Sequence, residues 1–118
     1  MGLPGLTPAM HLQKRIQVDT VHMNEIRQTE VFGQWIAGLK DQAGRARILG
    51  RIARAKLGNL GDVKYFDGIG EMRIDAGPGY RVYFARQGKT IYLLLLGGDK
   101  ASQPADIERA KALWADIR

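Results

Sequence analysis

The segment TIYLLLLGGDK, residues 90–100, contains the longest apolar run of the chain, Ile91 to Leu96. Successive side chains of a strand point to opposite faces, so a run that is apolar at every position predicts a central strand covered on both faces. The run has six residues, whereas a helix needs about 20 apolar residues to cross a bilayer. The residues that follow, Gly97 to Lys100, predict a sharp turn where the backbone can approach a ligand closely.

Short β-favouring runs separated by turn residues lead up to this strand and predict an antiparallel meander. Nine of the fifteen glycines fall within residues 58–98, which marks this half of the chain as the sheet. Working backward, the predicted strands cover residues 90–96, 80–86, 71–75 and 63–66, and the turns are Gln87-Gly88, Gly77-Pro78-Gly79 and Asp67-Gly68.

Helical patterns lie on either side of the predicted sheet. Thr29 is placed to cap a helix over residues 30–39, and a second helix over about 43–57 stops at Gly58. A final helix is predicted over about 103–117 with Ser102 as its candidate cap, and a short extended segment, 25–28, precedes the first helix. The predicted fold class is α+β, with two N-terminal helices packed on a four-stranded antiparallel sheet and a C-terminal helix.

The composition is that of one globular domain, with 118 residues, 45% hydrophobic and 25% charged. The chain has no cysteine, which excludes disulfides, thiolate zinc sites and thiol nucleophiles and is compatible with the cytoplasm, the location we expect. The net charge of +6 should attract anions such as nucleic acid or an acidic partner.

The first 22 residues carry two of the four prolines and no hydrophobic periodicity. We expect them to be a disordered leader, either a tag or an overlong start, that precedes a single domain over 23–118. Both histidines, His11 and His22, lie in this leader, so the predicted domain has neither histidine nor cysteine to bind a metal. Neither a metal site nor another cofactor is expected, and Ser102 has no histidine in the domain to activate it.

Cations on successive predicted strands form the first candidate site. If the faces of the strands that carry Arg73 and Arg81 coincide, guanidinium groups, carboxylates and a phenol meet, as phosphodiester cleavage requires. The residue types leave the general acid and base open among Glu71, Asp99, Lys100, Tyr80 and Tyr83. The alternative is a set of cross-strand salt bridges that stabilise a small sheet. The cations concerned are Lys64, Arg73, Arg81, Arg86 and, after the central strand, Lys100.

A second basic constellation lies on the second predicted helix, where five cations follow one another without an acidic residue. Three of them, Arg47, Arg51 and Arg54, are spaced for one face of the helix. They can bind phosphate or an acidic protein partner, or they can form a solvated helix face.

Three strings, taken together and in this order, resemble the RelE/ParE toxin superfamily. More narrowly, residues 23–118 resemble the HigB-like, phage Gp49-like addiction module killer proteins of type II toxin–antitoxin systems. The resemblance implies the RelE-like, microbial-ribonuclease-like arrangement of helices on a curved antiparallel sheet. The strings are Glu71-Met72-Arg73-Ile74, Gly77-Pro78-Gly79-Tyr80-Arg81-Val82-Tyr83-Phe84 and Leu94-Leu95-Leu96-Gly97-Gly98-Asp99-Lys100-Ala101-Ser102-Gln103.

The resemblance also implies an activity and a set of partners. Active RelE-type toxins are metal-independent mRNA endoribonucleases, also called mRNA interferases, that act in association with the ribosome. The implied partners are mRNA, the ribosome and a cognate helix-turn-helix antitoxin, with which the toxin forms a hetero-oligomer that binds operator DNA.

The implied catalytic residues follow from the matched strings. Tyr80 and Arg81 match a tyrosine–arginine pair of the family, and Arg73 matches a basic position on the preceding strand. Lys100, or Asp99 beside it, matches a basic or acid–base position. We also expect five basic residues to bind the RNA phosphates that flank the cleaved bond: Arg47, Arg51, Arg54, Lys64 and Arg86.

Two other functions stay open for this sequence. The same fold serves ParE-like toxins, which inhibit DNA gyrase without nuclease activity. A non-catalytic basic module that binds RNA or a protein partner is the third reading. The domain departs from active relatives in having no histidine, and in having Ile107 near the place where some relatives carry a tyrosine.

Overall fold

The computed structural model describes residues 23–118, so the predicted leader lies outside the described residues. These residues form an α+β domain with one five-stranded sheet and three α-helices. None of these helices is long and apolar enough to span a membrane. In chain order the elements are β1 (Glu25–Gln28), α1 (Glu30–Gly38), α2 (Gln42–Lys56), β2 (Val63–Phe66), β3 (Ile69–Ile74), β4 (Tyr80–Arg86), β5 (Ile91–Asp99), a 3₁₀ turn (Lys100–Ser102) and α3 (Gln103–Ile117).

The sheet is mixed, with the strand order β1-β5-β4-β3-β2. Strands β2 to β5 form the predicted antiparallel meander. The prediction of four strands is wrong, because β1 joins as a fifth strand parallel to β5, with Glu25 opposite Ile91 and Gln28 opposite Leu94. This pairing uses backbone groups on the second edge of β5 that would otherwise lack partners beside a buried strand.

Helices cover both faces of the sheet, and each face has its own hydrophobic core. The helices α1 and α2 pack on one face, where Phe32 and Ile48 meet Val82 and Leu94. On the other face α3 brings Ala110 against side chains from β3, β4 and β5. Strand β5 contributes to both cores, which confirms the prediction of a central strand covered on both sides. The second core comprises Ile69, Tyr83, Ala85, Leu93, Leu95, Leu96 and Ala110.

A β-bulge interrupts the pairing of β4 with β5. Tyr83 lies opposite Leu96 and Phe84 lies opposite Leu94, so Leu95 is an extra residue. Strict alternation along the apolar run predicted Leu95 and Leu96 on opposite faces, whereas both side chains lie in the core beneath α3. The bulge shifts the alternation of side chains for the remainder of the strand.

The predicted turn at Gly97 and Gly98 is part of β5, which continues to Asp99. A Cβ atom on Gly97 would lie 2.3 Å from the ring of Trp35, and one on Gly98 would lie 2.0 Å from the carboxylate of Asp106. These glycines therefore allow α1 and α3 to approach the strand closely, rather than a ligand.

Side chains fix the starts of the helices. The Thr29 hydroxyl accepts a hydrogen bond from the Phe32 amide, which confirms the predicted cap of α1. Asp41 caps α2 by accepting from the Gly44 amide. Ser102 is the N-cap residue of α3, as predicted, but its side chain makes no capping bond to the helix. Asp99 caps the 3₁₀ turn that precedes the helix.

The surroundings of Gly97 and Gly50 predict opposite effects on stability when each glycine is replaced by alanine. Gly97→Ala should lower the free energy of unfolding by about 1–3 kcal/mol, because the added methyl group overpacks the core. Gly50→Ala should raise it by up to about 1 kcal/mol, since Gly50 lies inside α2 and an added Cβ has no atom within 4 Å. Urea unfolding measures both values, and a Gly97→Ala protein as stable as wild type would contradict the close packing of α1.

Candidate active site

An open cleft of about 740 Å³ lies on the face of the sheet that α3 covers, beyond the start of that helix. Its walls come from β2, β3, β4, the turn between β3 and β4, and the first residues after β5. Four cations and two exposed carboxylates face it. The lining residues are Asp62, Lys64, Arg73, Ile74, Asp75, Gly77, Pro78, Gly79, Arg81, Lys100 and Gln103.

Strand register brings the predicted cations together in this cleft. Arg73 of β3 lies directly opposite Arg81 of β4, and two positions back Glu71 lies opposite Tyr83. Lys64 of β2 lies opposite Glu71. Residues opposite each other in a sheet share a face, so the structure confirms that these strand faces coincide.

Arg81 is the most firmly held cation of the cleft. Its Nη1 donates to the carbonyl oxygens of Gly79 and Tyr80, each at 3.1 Å, and its side chain is 13% exposed. Gly79 has a φ of +81°, and a Cβ on it would lie 3.3 Å from the Cβ of Lys100. Glycine is therefore needed there to form the turn that holds Arg81 and to admit Lys100 beside it.

Arg73 is held less firmly. Its Nε lies 3.4 Å from the Asp62 carboxylate, and its side chain is 42% exposed. An exposed ion pair of this kind contributes little to stability and is readily exchanged for another anion. Arg73 can therefore turn toward a phosphate in the cleft.

Two predicted catalytic residues lie away from the cleft. Tyr80 points to the other face, where it is 5% exposed and its hydroxyl donates to Asp41 at 2.8 Å. This hydrogen bond, together with burial, raises the pKa of Tyr80. The Asp99 carboxylate accepts hydrogen bonds from the amides of Ala101 and Ser102. Tyr80 and Asp99 are therefore bound within the fold, whereas Arg73, Arg81 and Lys100 line the cleft.

Arg51, predicted to bind phosphate, is a structural clasp. Its Nη1 donates to the Arg73 carbonyl at 2.5 Å, and its Nη2 donates to the carbonyls of Leu60 and Asp62 at 2.9 and 3.1 Å. These bonds join α2 to the segment before β2 and to β3. The guanidinium of Arg51 is therefore occupied by backbone oxygens behind the cleft.

The other four predicted phosphate-binding residues are divided between the cleft and the remaining surface. Lys64 lines the cleft, and Arg47 reaches its rim by donating to the carbonyl of Asp75 at 3.2 Å. Arg54 lies in a separate depression of about 210 Å³ beside Arg51. Arg86 lies at the far end of β4, where its guanidinium stacks 5.5 Å from the ring of Tyr92.

Sequence reasoning did not identify Gln103 or Asp62 as residues of the site, whereas alternation along the predicted strand 71–75 puts Asp75 on the same face as Arg73. Gln103 begins α3, lines the cleft and donates from Nε2 to Glu71 Oε2 at 2.9 Å. It closes one of the strings that carry the family resemblance, and this position was the available signal. No local pattern marks Asp62, because strand pairing brings it to the cleft.

The fold and cleft define an α+β domain with a basic site at one end of its sheet. An uncharacterized protein of Haemophilus influenzae strain Rd is 47% identical to this chain over 94 residues, which cover 79% of this chain and 95% of that protein. The chain therefore belongs to the family of that protein. No family model matches the chain, and no solved structure matches it.

The clasp formed by Arg51 predicts a large loss of stability when the guanidinium is removed. Arg51→Met should lower the free energy of unfolding by about 2 kcal/mol, since three backbone carbonyls lose a charged donor. Arg54→Met, an exposed position on the same helix, should change it by less than about 0.5 kcal/mol. Urea unfolding compares the two variants, and equal stabilities would contradict the clasp.

The Asp41 cap predicts a specific loss of stability in acid. Its hydrogen bonds from the Gly44 amide and the Tyr80 hydroxyl lower the pKa of Asp41 in the folded protein below the ordinary value of about 3.9. The unfolded chain therefore binds more protons near pH 4, and this stabilisation is lost as the pH falls below about 5 through the folded-state pKa.

Thermal unfolding midpoints at pH 7, 5, 4 and 3 test this dependence. The decline should be shallower in Asp41→Asn than in wild type, because the amide does not titrate. Asp116→Asn, at an exposed position in the last turn of α3, is the matched control and should keep the wild-type decline. The same slope in all three proteins would show that Asp41 does not carry the effect.

Proposed function

We propose that the protein is the toxin of a type II toxin–antitoxin system, with a RelE-like fold of the HigB type. In this proposal it is a metal-independent, ribosome-associated mRNA endoribonuclease of the cytoplasm. The observation that carries the proposal is the convergence of Arg73, Arg81 and Lys100 in one open cleft. A phosphodiester chain is a ligand that suits three cations on a concave polar surface.

The proposed reaction uses the nucleophile that RNA itself provides. The ribose 2′-oxygen attacks the adjacent phosphorus and loses its proton, the bond from phosphorus to the 5′-oxygen breaks, and the leaving oxygen takes up a proton. The products are a 2′,3′-cyclic phosphate and a free 5′-hydroxyl. Such a transphosphorylation needs neither a cofactor nor a protein nucleophile.

The cleft supplies complementary groups for each part of this reaction. The guanidinium groups of Arg73 and Arg81 are suited to stabilise negative charge that develops on the non-bridging oxygens. Lys100 can give a proton to the leaving oxygen. Among the described lining residues, Asp62 and Asp75 carry the carboxylates that can accept the 2′-proton.

Neighbouring cations extend the proposed RNA contact beyond the scissile phosphate. Lys64 on β2 and Arg47 at the rim lie beside the three central cations. Each phosphate contact releases counterions, so affinity for RNA should fall steeply with salt. The same positive surface is suited to the acidic part of a helix-turn-helix antitoxin, which would cover the cleft within an operator-binding hetero-oligomer.

The proposal predicts loss of RNA cleavage when a cleft cation is removed. Induction of the full chain in bacteria should arrest growth and create new transcript ends inside translated frames. Arg73→Ala, Arg81→Ala and Lys100→Ala should each slow cleavage by about 100-fold or more, because each removes charge stabilisation of the transition state. Lys89→Ala is the matched control, since Lys89 is exposed in the turn between β4 and β5.

Transcript-end mapping with and without translation measures the outcome, and circular dichroism confirms that each variant is folded. Growth arrest with intact messages and a block of supercoiling would replace the proposal by inhibition of DNA gyrase. Salt-sensitive RNA binding without arrest or cleavage would indicate a non-catalytic basic module.

A further inference from the structure

Beneath the cleft lies a carboxylate that is shielded from solvent. Glu71, on β3, is 0% exposed, whereas the arginines above it reach the surface. A buried carboxylate is unfavourable unless charged or polar partners compensate for its lost hydration. Gln103 provides one partner by donating to Oε2, and the second oxygen, Oε1, faces Arg81.

Three buried polar atoms meet at this point without a hydrogen-bond partner among the described residues. They are Glu71 Oε1, Arg81 Nε and the Tyr83 hydroxyl. Tyr83 lies opposite Glu71 in the strand register, and burial together with the negative charge of Glu71 raises the pKa of its hydroxyl. Buried polar atoms are nearly always paired, so these three atoms, one on the carboxylate and two beside it, mark a network that is incomplete in this state.

Arg81 Nε and Glu71 Oε1 are about one ångström too far apart to form a hydrogen bond. Arg81 Nε lies 3.9 Å from Glu71 Oε1, whereas a charge-assisted bond of this type spans about 2.7–2.9 Å. In the present state Arg81 donates from Nη1 to the carbonyls of Gly79 and Tyr80. A small rotation of the guanidinium toward Glu71 would complete the bond and change the direction of its remaining N–H groups.

We propose that Glu71 is the positioning residue of this site: it holds Arg81 Nε from below and thereby directs the guanidinium at the phosphate to be cleaved. This inference rests on the proposed function. Glu71 does not touch RNA, because no part of it reaches the cleft surface. The planar guanidinium has donors on fixed directions, so fixing Nε decides where the outer nitrogens point.

Gln103 links the pair formed by Glu71 and Arg81 to the start of α3. Gln103 begins the helix, lines the cleft, and donates to the same carboxylate that faces Arg81. Glu71 is therefore held by one residue of the cleft wall while it acts on another.

Steady-state RNA cleavage by the full chain tests the proposal with Glu71→Gln. The amide keeps the size of the side chain and an acceptor for Gln103, but it removes the charge that faces Arg81. We expect kcat to fall by about tenfold to 100-fold, whereas KM stays the same or decreases because the cleft becomes more positive. A purely structural role would lower the unfolding midpoint and the fraction of active protein, whereas kcat per folded molecule would stay at the wild-type value.

Two variants serve as matched controls. Glu108→Gln makes the same chemical change on the exposed side of α3 and should leave both constants unchanged. Tyr83→Phe perturbs the same buried cluster without removing the charge that faces Arg81, so it should lower kcat less than Glu71→Gln does. A Glu71→Gln protein that is folded and cuts RNA at the wild-type kcat would overturn the positioning role.

Nuclear magnetic resonance of the Arg81 Nε–H group gives a second measurement that needs no active variant. A short RNA with 2′-O-methyl groups, which cannot be cleaved, is added to the wild-type protein. The Arg81 signal should move downfield and exchange more slowly with water as the bond to Glu71 forms. An unchanged Arg81 signal, while other cleft signals shift, would overturn the proposal.

The two measurements separate failure of this inference from failure of the proposed function. A wild-type protein that cuts no RNA would reject the endoribonuclease. The Nε–H signal, recorded with inorganic phosphate as the ligand, would then decide by the same criteria whether Glu71 directs Arg81 toward an anion.

Discussion

The burial of β5 between two hydrophobic cores determines which elements must lie beside it. A strand covered on both faces needs hydrogen-bonded neighbours on both edges, and β4 and β1 supply them. The bulge at Leu95 turns Leu96 toward α3, and Gly97 then lies against the ring of Trp35. After Gly97 and Gly98 the strand ends at Asp99, beside the start of β4. This position places Lys100 next to Arg81. The packing of one strand thus sets the position of the proposed chemistry.

The cleft concentrates like charges that the fold only partly compensates. Arg73 and Arg81 lie opposite each other on neighbouring strands, where cations repel. Asp62 offsets one of them from the exposed side, and Glu71 faces the other from below. Backbone carbonyls take up one nitrogen of Arg81. A site that keeps this excess of positive charge stores unfavourable energy until an anion arrives, as functional sites commonly do.

Much of the architecture could be predicted because its signals are local. Thr29 and the spacing of apolar residues set the helices, and glycine turns divided the meander. The parallel pairing of β1 carries no local signal, since four residues bind a strand far along the chain. The bulge was hidden because a run that is apolar throughout does not reveal which face each side chain takes. For the site, alternation along the strands placed Arg73 and Arg81 together, whereas the clasp of Arg51 depends on carbonyls brought to it by folding.

The pairing of β1 with β5 determines when the sheet can form during synthesis of the chain. Glu25 pairs with Ile91, 66 residues later in the chain. A ribosome adds about 5–20 residues per second, so the first strand waits roughly 3 to 13 seconds for its partner to be made. Long-range pairing of this kind is slow and comes late in folding. Because Lys100 also completes the cleft, a chain that has not yet been extended to residue 100 has neither the pairing of β1 with β5 nor an assembled cleft.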